Sequence, residues 1–208
     1  MTTLPYSTID LTSEEITQTL SVFNSLQNNY QVDFKMDFDF PFKEFSLFDT
    51  YEDYAIGPVI EVNQNSSQFY ITFTQVFYKL NTGSGYRIRL SKEYQTWCVL
   101  PLNKQYGHIL IKSETLLDKI HELVHPIEID FNEDPDFSKR FYVMASTDSS
   151  TTNLLDDRFR GCLKQMNRKD IWIEVAQNKL IIGNKKRIDM QATLEMADFI
   201  RSIADLQK

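Results

Sequence analysis

The stretch of residues 137–182 limits the fold of this chain more than any other part of its sequence. Apolar and polar residues alternate at its start, with Phe141, Val143 and Ala145 on one side, which is the period of a strand that faces a core. Ser, Thr and Asp residues follow, and their short side chains favour a helix start near Ser149. Apolar residues then recur at helical spacing and predict one buried stripe. These are Leu154, Leu155, Phe159, Cys162, Leu163 and Met166.

The same stretch ends in two short apolar runs, residues 171–175 and 179–182, which a Gln-Asn pair joins. Two such runs with a short polar connection predict a β-hairpin. With the preceding strand and helix, the hairpin makes a strand-helix-hairpin unit. We expect Phe159 and Leu163 of the helix to face the sheet, and Arg160 to face solvent, because helical spacing places Arg160 away from the apolar stripe.

Helices are also predicted near both ends of the chain. Thr12 and Glu15 have the spacing of a capping box, and an apolar stripe follows them: Ile16, Leu20, Phe23 and Leu26. A C-terminal helix is predicted from about Asp189. Its stripe consists of Met190, Leu194, Ala197, Ile200 and either Ile203 or Ala204. A short helix over residues 114–124 should end before Pro126, because the residue before a proline disfavours helical geometry.

Strand patterns dominate between the N-terminal helix and residue 113. Strict alternation over residues 32–40 predicts a strand with one wet face. Further strands are predicted at 59–62, 68–80, 86–90, 96–102 and 108–111. The apolar phase of the 68–80 run changes near Thr74 and Gln75, which predicts a β-bulge or a sharp bend there. The glycine-rich residues 81–85 lie between two strands, so we expect a hairpin loop and not a phosphate-binding loop.

The predicted fold class is therefore α+β. We expect a largely antiparallel sheet with an N-terminal helix, the strand-helix-hairpin unit and a C-terminal helix. The strands at 96–102 and 108–111 are expected to be neighbours in a meander. The whole chain, residues 1–208, reads as a single domain with a soft boundary near 126–136.

Composition and charge limit the possible functions. The net charge is −7, so a broad nucleic-acid surface is not expected, because binding phosphates needs an excess of positive charge. The N-terminus lacks the pattern of a signal peptide, and no apolar run approaches the roughly 20 residues needed to cross a bilayer. We expect a soluble cytoplasmic protein in which Cys98 and Cys162 are reduced, buried thiols.

The order of aromatic, acidic and glycine residues over 45–183 resembles a bacterial family of uncharacterised proteins. The residues that carry the resemblance are Phe45, Tyr51-Glu52-Asp53, Gly57, Phe69, Ile71-Thr72, Trp97, Gly107-His108-Ile109, Pro126-Ile127-Glu128, Phe137, Phe141, Val143, Asp148, Leu154-Leu155, Phe159 and Leu163. Many members resemble membrane-tethered proteins with an N-terminal apolar hairpin. In this chain the predicted helix of residues 13–28 stands in that place, so contact with a membrane is not expected without a tether. The resemblance implies no activity, substrate or catalytic residue.

The string from His121 to His125 is the one candidate for catalysis. On a helix, His121 and His125 share a face and could bind zinc while Glu122 activates a bound water. Pro126 follows directly, however, so the second histidine would lie at a helix end. The remaining candidates for a third ligand are His108, Glu128, Glu133 and Asp134. A zinc-dependent hydrolase is thus the alternative function; otherwise we expect no catalytic, metal-binding or cofactor-binding residue and no cofactor.

Other charged groups have simpler structural explanations. Asp33, Asp37 and Asp39 could bind a divalent cation, but a wet strand face that discourages sheet pairing explains them as well. Asp156 and Arg160 are four residues apart and can pair on a helix surface. The remaining charges near this helix are Asp148 at the expected N-cap, Asp157 and Arg158. The basic residues Arg168, Lys169, Lys185, Lys186 and Arg187 could contact acidic lipid or a partner, although a charged turn is the expected explanation.

These patterns together favour a binding protein over an enzyme. No Ser-His-Asp or Cys-His arrangement has a framing motif, and the chain is rich in aromatic residues of the kind found at interfaces. We expect a protein partner, bound on a sheet face or in an aromatic groove, and no nucleic acid. The tyrosines that motivate this expectation are Tyr51, Tyr54, Tyr70, Tyr78, Tyr86, Tyr94 and Tyr106.

Overall fold

The computed structural model describes residues 11–64, 67–81, 88–113, 127–146 and 153–208. The strands in these residues are β1 (Gln31–Lys35), β2 (Asp53–Gln64), β3 (Ser67–Asn81), β4 (Ile88–Pro101), β5 (His108–Ser113), β6 (Ile127–Glu128), β7 (Phe141–Ala145), β8 (Trp172–Ala176) and β9 (Lys179–Arg187). The helices are α1 (Ser13–Gln27), α2 (Pro135–Ser138), α3 (Asp157–Gln165) and α4 (Met190–Leu206). Two 3-10 turns cover Phe42–Glu44 and Ser46–Phe48.

The nine described strands form one sheet, and every pairing in it is antiparallel. The strand order is β1-β2-β3-β4-β9-β8-β5-β7-β6. This confirms the predicted α+β class, with helices near both ends of the chain, and it confirms the hairpin of β8 and β9. The β3–β4 pairing reaches Asn81 and Ile88, so these strands also form the predicted hairpin.

The main core lies between one face of the sheet and the helices α1, α3 and α4. Phe69, Ile71 and Phe73 of β3 are fully buried in it. Phe159 and Leu163 of α3 face this core as predicted, and the ring of Phe159 meets the ring of Phe199 on α4 edge-on at 5.7 Å. The strand-helix-hairpin unit and the C-terminal helix therefore share one apolar layer.

The terminal helices follow the predicted periodicity with small corrections. Thr12 and Glu15 form the capping box, and Leu26 of the predicted stripe is buried. The other buried side chains of α1 are Thr19 and Val22, each one position before a predicted residue. The side chain of Asp189 caps α4. In the predicted stripe of α4, Ala197, Ile200, Ile203 and Ala204 are buried, Leu194 is half-buried and Met190 is 46% exposed. The predicted helix over 114–124 lies outside the described residues.

Helix α3 begins later in the chain than predicted, and one of its side chains, Arg160, is more buried than predicted. Its first residue is Asp157, and Asp156 caps it by accepting the N–H of Phe159 at 2.9 Å. The expected cap, Asp148, lies outside the described residues. The prediction for Arg160 is wrong: this side chain is only 4% exposed, because its guanidinium covers the ring of Phe131, 4.5 Å from the ring centroid.

Arg160 does not pair with the side chain of Asp156, which binds Arg158 at 3.1 Å. It contacts Glu133 at 3.1 Å and Asp157, and it donates a hydrogen bond to the carbonyl of Leu155 at 2.9 Å. Helical spacing alone cannot reveal such burial, because the residues that cover Arg160 come from the connection before α2 and from the residue before the α3 cap.

The predicted strand over 32–40 is shorter than expected. It ends at Lys35, and Met36 is 69% exposed. Phe34 stacks on Phe23 of α1 with the ring centroids 4.3 Å apart, whereas Phe40 belongs to the core on the opposite face of the sheet. The alternating apolar residues therefore do not share one face, because the chain leaves the strand and crosses to the other side.

Three further predictions about the sheet are corrected. The predicted bulge within β3 is wrong: the β3–β4 register is continuous, and the irregularity lies in β2 between Ile56 and Val59. Gly57 is required there because a Cβ atom would lie 2.6 Å from the carbonyl oxygen of Phe73. The runs predicted at 86–90 and 96–102 are not separate strands: residues 88–90 and 96–101 belong to one strand, β4, while residues 86 and 87 lie outside the described part of the chain. The meander is also wrong, since β4 pairs with β9 and β5 lies between β8 and β7.

The two cysteines are free thiols. Cys98 is fully buried on β4, and this burial raises the pKa of its thiol above the usual value. Cys162 on α3 is half-buried, and burial also raises the pKa of its thiol.

Candidate functional site

The second face of the sheet is covered by residues 38–54, which we call the aromatic segment. Its aromatic rings pack against one another and against the sheet. The ring centroids of Phe40 and Phe45 are 5.4 Å apart, those of Phe42 and Phe48 are 5.1 Å apart, and those of Phe48 and Trp97 on β4 are 4.9 Å apart. The core under the segment also contains Val99, Leu110, Met144, Trp172, Ala176 and Ile181 from the sheet. A segment without an α-helix thus covers the sheet face opposite helices α1, α3 and α4.

A buried carboxylate fixes the aromatic segment to the sheet. Glu174 of β8 is fully buried, and its two oxygens accept the backbone N–H groups of Ser46 and Leu47, both at 2.8 Å. The Nε2 atom of His108 on β5 contacts the same carboxylate. A buried charge is costly unless it is paired and hydrogen-bonded, so these three partners explain how Glu174 is tolerated in the core.

Sequence reasoning did not single out Glu174. The available signal was one acidic residue inside the apolar run of residues 171–175, which forms a strand that is covered on both faces. His108 was considered as a zinc ligand, but the structure places it against Glu174. Its proposed neighbours His121, Glu122 and His125 lie outside the described residues.

One end of the aromatic segment forms an open groove of about 530 Å³, which we call the aromatic groove. Its lining residues are Lys43, Phe48, Asp49, Tyr51, Glu52, Asp53 and Tyr54. Tyr54 packs on Phe48 with the ring centroids 5.2 Å apart, and the Tyr51 hydroxyl donates to Gln95 of β4 at 3.0 Å. The aromatic walls are therefore held on the sheet, while the groove itself opens to solvent.

The rim of the aromatic groove is predominantly acidic. Asp49, Glu52 and Asp53 contribute carboxylates, and Lys43 contributes a cation. Lys79 of β3 approaches the rim and pairs with Glu52 at 2.6 Å. Burial, followed by the negative charges of Asp53 and Asp49, raises the pKa of the Tyr54 hydroxyl above its usual value. Tyr54 is thus a neutral hydroxyl beside a negatively charged rim.

The tyrosines predicted to form a binding surface are divided between the two faces. Tyr51 and Tyr54 line the groove, and Tyr70 lies on the same face, packed on Phe38 at 4.8 Å. Tyr94 is buried in the helix-side core, and Tyr106 packs against that core. Tyr78 of β3 is half-buried, and Tyr86 lies outside the described residues.

The expected row of aspartates is broken by the end of β1. Asp33 lies on the strand, whereas Asp37 and Asp39 follow its end, and all three are exposed. In the described residues, no group of three or more His, Cys, Asp or Glu side chains could hold a metal ion. None of the helices described is long and apolar enough to cross a membrane.

The sequence suggested one cluster of basic residues, and the structure brings two of them, Arg168 and Lys186, to the same carboxylate. Arg168 binds Asp170 at 3.0 Å, and Lys186 binds the other oxygen of the same carboxylate at 2.9 Å. The pKa of Asp170 is lowered although burial alone would raise it, because these two cations stabilise the charged form. The Asp170 carboxylate thus links the turn before β8 to the end of β9 through these ion pairs.

A second opening of about 370 Å³ lies between α3 and α4. Its lining is mostly polar: Cys162, Gln165, Met166, Asn167, Gln191, Glu195, Asp198, Phe199, Arg201 and Ser202. We regard the aromatic groove as the better candidate for a binding site, because it combines aromatic walls with a charged rim.

Comparison with solved structures identifies a similar fold. The crystal structure of the mycobacterial trehalose monomycolate transport factor A, TtfA, matches with a TM-score of 0.62 and 12% sequence identity. The match covers 94% of this chain and 95% of TtfA. No protein-family model matches the sequence, and no curated protein does either. This chain therefore has a fold like that of a bacterial protein over nearly its whole length.

Proposed function

We propose that this protein is a non-catalytic binding protein that docks a segment of a partner protein in the aromatic groove. The observation that carries the proposal is the combination of Phe48, Tyr51 and Tyr54 as walls with a rim of carboxylates. Aromatic anchors in a pocket, surrounded by a polar rim, are the usual composition of protein interfaces.

The charge of the rim indicates which segment would fit. Three carboxylates, from Asp49, Glu52 and Asp53, outnumber the two lysines at the rim, Lys43 and Lys79. Complementary charge favours association and orients the partner. The partner segment therefore carries an apolar side chain for the groove next to a Lys or Arg for the rim.

The attachment of the aromatic segment also supports binding. Glu174 holds Ser46 and Leu47, which directly precede the groove residue Phe48. A wall fixed before the partner arrives loses less conformational entropy when binding occurs. The groove is therefore preorganised on its Phe48 side.

The similar fold agrees with this proposal. TtfA is named as a transport factor, and by analogy we infer that this chain works by binding and not by a chemical reaction. Fold likeness alone does not transfer function, so the proposal rests on the groove. The resemblance of residues 45–183 to an uncharacterised bacterial family is consistent with a bacterial origin for this fold.

Site-specific photocrosslinking in the native host tests the proposal. Benzoylphenylalanine replaces Tyr54 in one variant and Tyr70 in a control, because Tyr70 lies on the same sheet face outside the groove. We expect a protein crosslinked from position 54 and not from position 70. The substitution Asp53→Lys should reduce that crosslink, whereas Asp33→Lys, at an exposed site on β1, should leave it unchanged. Equal crosslinking from both positions, or none from position 54, would contradict the proposal.

A further inference from the structure

The first half of strand β2 has an open edge beside the aromatic groove. β1 is the neighbour of β2 on this side, but it pairs only with residues 59–63, and the last pair is Lys35 with Val59. No described strand therefore pairs with residues 53–56 on the β1 side, whereas β3 pairs with them on the other side. An edge of this kind carries backbone donors and acceptors that can pair with another chain.

The irregularity in β2 explains why β1 ends where it does. The register between β2 and β3 shifts between Ile56 and Val59. Pro58, inside this irregularity, has no N–H to offer to a neighbouring strand. Beyond Lys35 the chain leaves the edge and crosses to the second face of the sheet. β1 therefore does not continue along residues 53–56, and their edge stays open.

Tyr54 and Ile56 direct their backbone groups to the open edge. The Tyr54 N–H donates to the Asp53 Oδ1 atom at 2.8 Å and not to a strand. Because alternate residues of an antiparallel strand bond to opposite neighbours, Ile56 also directs its N–H outward, whereas Ala55 directs its own to β3. The Asp53 carboxylate thus occupies the place that a carbonyl oxygen of an added strand would take.

The side chains at this edge continue the wall of the aromatic groove. Tyr54 lines the groove and packs on Phe48. The side chain of Ile56, two residues further along the strand, lies on the same face of the sheet, and it is 40% exposed. Edge strands are usually protected by charged side chains, so an exposed isoleucine at this place indicates a surface that makes contact with another chain.

We propose that the partner segment binds as an extended strand, antiparallel to residues 53–56 of β2. This inference rests on the proposed function and specifies the conformation of the segment that the aromatic groove binds. In strand addition, main-chain hydrogen bonds provide affinity, and alternate side chains provide specificity. The antiparallel direction continues the pattern of β2 with both of its described neighbours.

The alternation of side chains also defines the sequence of the partner segment. Its residues opposite Tyr54 and Ile56 lie on the face of the aromatic groove, so they are apolar. The residue between them lies on the other face, with Ala55 and Asp53, within reach of a long side chain. Since the added strand takes the Tyr54 N–H, the Asp53 carboxylate becomes available to a cation. The segment therefore has the pattern apolar–basic–apolar, with Lys or Arg in the middle.

Charge favours a different protein over a second copy of this chain at the edge. Two copies paired through residues 53–56 would bring together the carboxylates of Asp49, Glu52 and Asp53 from both chains. Like charges at such separations disfavour pairing, and each chain has a net charge of −7. A segment with a central Lys or Arg has the complementary charge.

Synthetic hexapeptides of alternating Lys and Val, blocked at both ends, are the probe for this test. One peptide is N-methylated at its lysines and the other at its valines, so the two have the same side chains and differ only in which backbone edge can donate. In an antiparallel strand the valines lie opposite Tyr54 and Ile56 and direct their N–H groups to β2. The lysine-methylated peptide therefore keeps the donors that β2 needs.

Amide hydrogen exchange, followed by NMR during a titration, measures binding and its place. We expect the lysine-methylated peptide to bind and to protect the Ile56 amide, while the Ala55 amide, directed to β3, does not change. The valine-methylated peptide should bind at least about tenfold more weakly, because its hydrogen bonds to β2 are lost.

Two variants at one position provide the control in the protein. Ile56→Pro removes the outward N–H at an edge position, where proline is tolerated, and should weaken binding of the lysine-methylated peptide at least about tenfold. Ile56→Val keeps this N–H and should leave binding nearly unchanged. The two peptides make the same comparison on the unaltered protein, so the test does not depend on the folding of a variant.

Three results would overturn strand addition: no binding of either peptide, equal binding of both, or an Ile56 amide that is protected in the free protein and loses protection on dilution. The last result would assign the edge to a second copy of this chain. None of them changes the crosslink expected from position 54. Absence of that crosslink would contradict the proposed function itself, so the two failures are distinguishable.

Discussion

Removal of the Glu174 charge tests the attachment of the aromatic segment. The substitution Glu174→Gln keeps the size of the side chain but replaces one acceptor oxygen by an amide group that only donates. Ser46 and Leu47 each donate a backbone N–H to this carboxylate at 2.8 Å, so one of these buried donors loses its acceptor. His108 contacts the same carboxylate and loses a charged partner.

The size of the effect follows from these contacts. A hydrogen bond to a charged group contributes about 1.5–3 kcal/mol, and a buried donor left unpaired costs about 1–3 kcal/mol. We expect Glu174→Gln to lower the free energy of unfolding by about 3 kcal/mol, which also agrees with the cost of breaking a buried pair. This is a large share of a typical domain stability of about 5–15 kcal/mol.

Urea denaturation and hydrogen exchange measure this effect together. At least one of the Ser46 and Leu47 amide protons should lose protection in the variant, because the Gln side chain keeps only one acceptor oxygen for these two donors. Glu61→Gln is the matched control: Glu61 pairs with Lys35 at 2.7 Å near the surface, and such pairs contribute about 0–1 kcal/mol. A double-mutant cycle with His108→Gln isolates the contact between the two side chains.

Two results would refute the reasoning. One is a stability loss for Glu174→Gln no larger than that of Glu61→Gln. The other is unchanged protection of both the Ser46 and the Leu47 amide, which would mean that the aromatic segment stays in place without the carboxylate. If the reasoning holds, Glu174→Gln should also weaken the crosslink from position 54, although Glu174 does not line the groove.

The remaining predictions concern α3 and the zinc alternative. Phe159→Ala removes a buried ring and should cost about 3–5 kcal/mol, measured by chemical denaturation. Arg160→Ala should cost about 2 kcal/mol, because the buried guanidinium stacks on an aromatic ring and donates to the Leu155 carbonyl; a loss below about 0.5 kcal/mol, as for an ordinary surface site, would contradict this. Protein purified without chelator should contain no stoichiometric zinc, and His121→Ala should not change its metal content; one zinc per chain, lost in His125→Ala, would instead support the hydrolase.

Local spacing in the sequence was enough to predict several elements. The capping box of Thr12 and Glu15, the C-terminal helix and the β8–β9 hairpin depend on residues a few positions apart. Their geometry is set by backbone hydrogen bonds and turn preferences. For the same reason, the inward orientation of Phe159 could be derived from helical periodicity.

The sequence predicted that the protein has an aromatic binding surface, but it did not predict which residues form the aromatic groove. The number of tyrosines suggested a binding face, but the sequence did not show that Tyr51 and Tyr54 meet while Tyr94 lies in the opposite core. The alternation over 32–40 suggested one strand face, whereas the chain leaves β1 at Lys35 and crosses the sheet. The periodicity of a segment shows which of its residues share a face, but it does not show which part of the protein that face packs against.

The sequence by itself determined the α+β class, the terminal helices and the hairpin, because these depend on short-range spacing. Only the tertiary structure decided the strand order, the burial of Arg160 and the attachment of the aromatic segment by Glu174. Each of these joins residues that lie in different segments of the chain. A charged side chain is stable in a core only when distant partners surround it, and those partners become neighbours only when the sheet has formed.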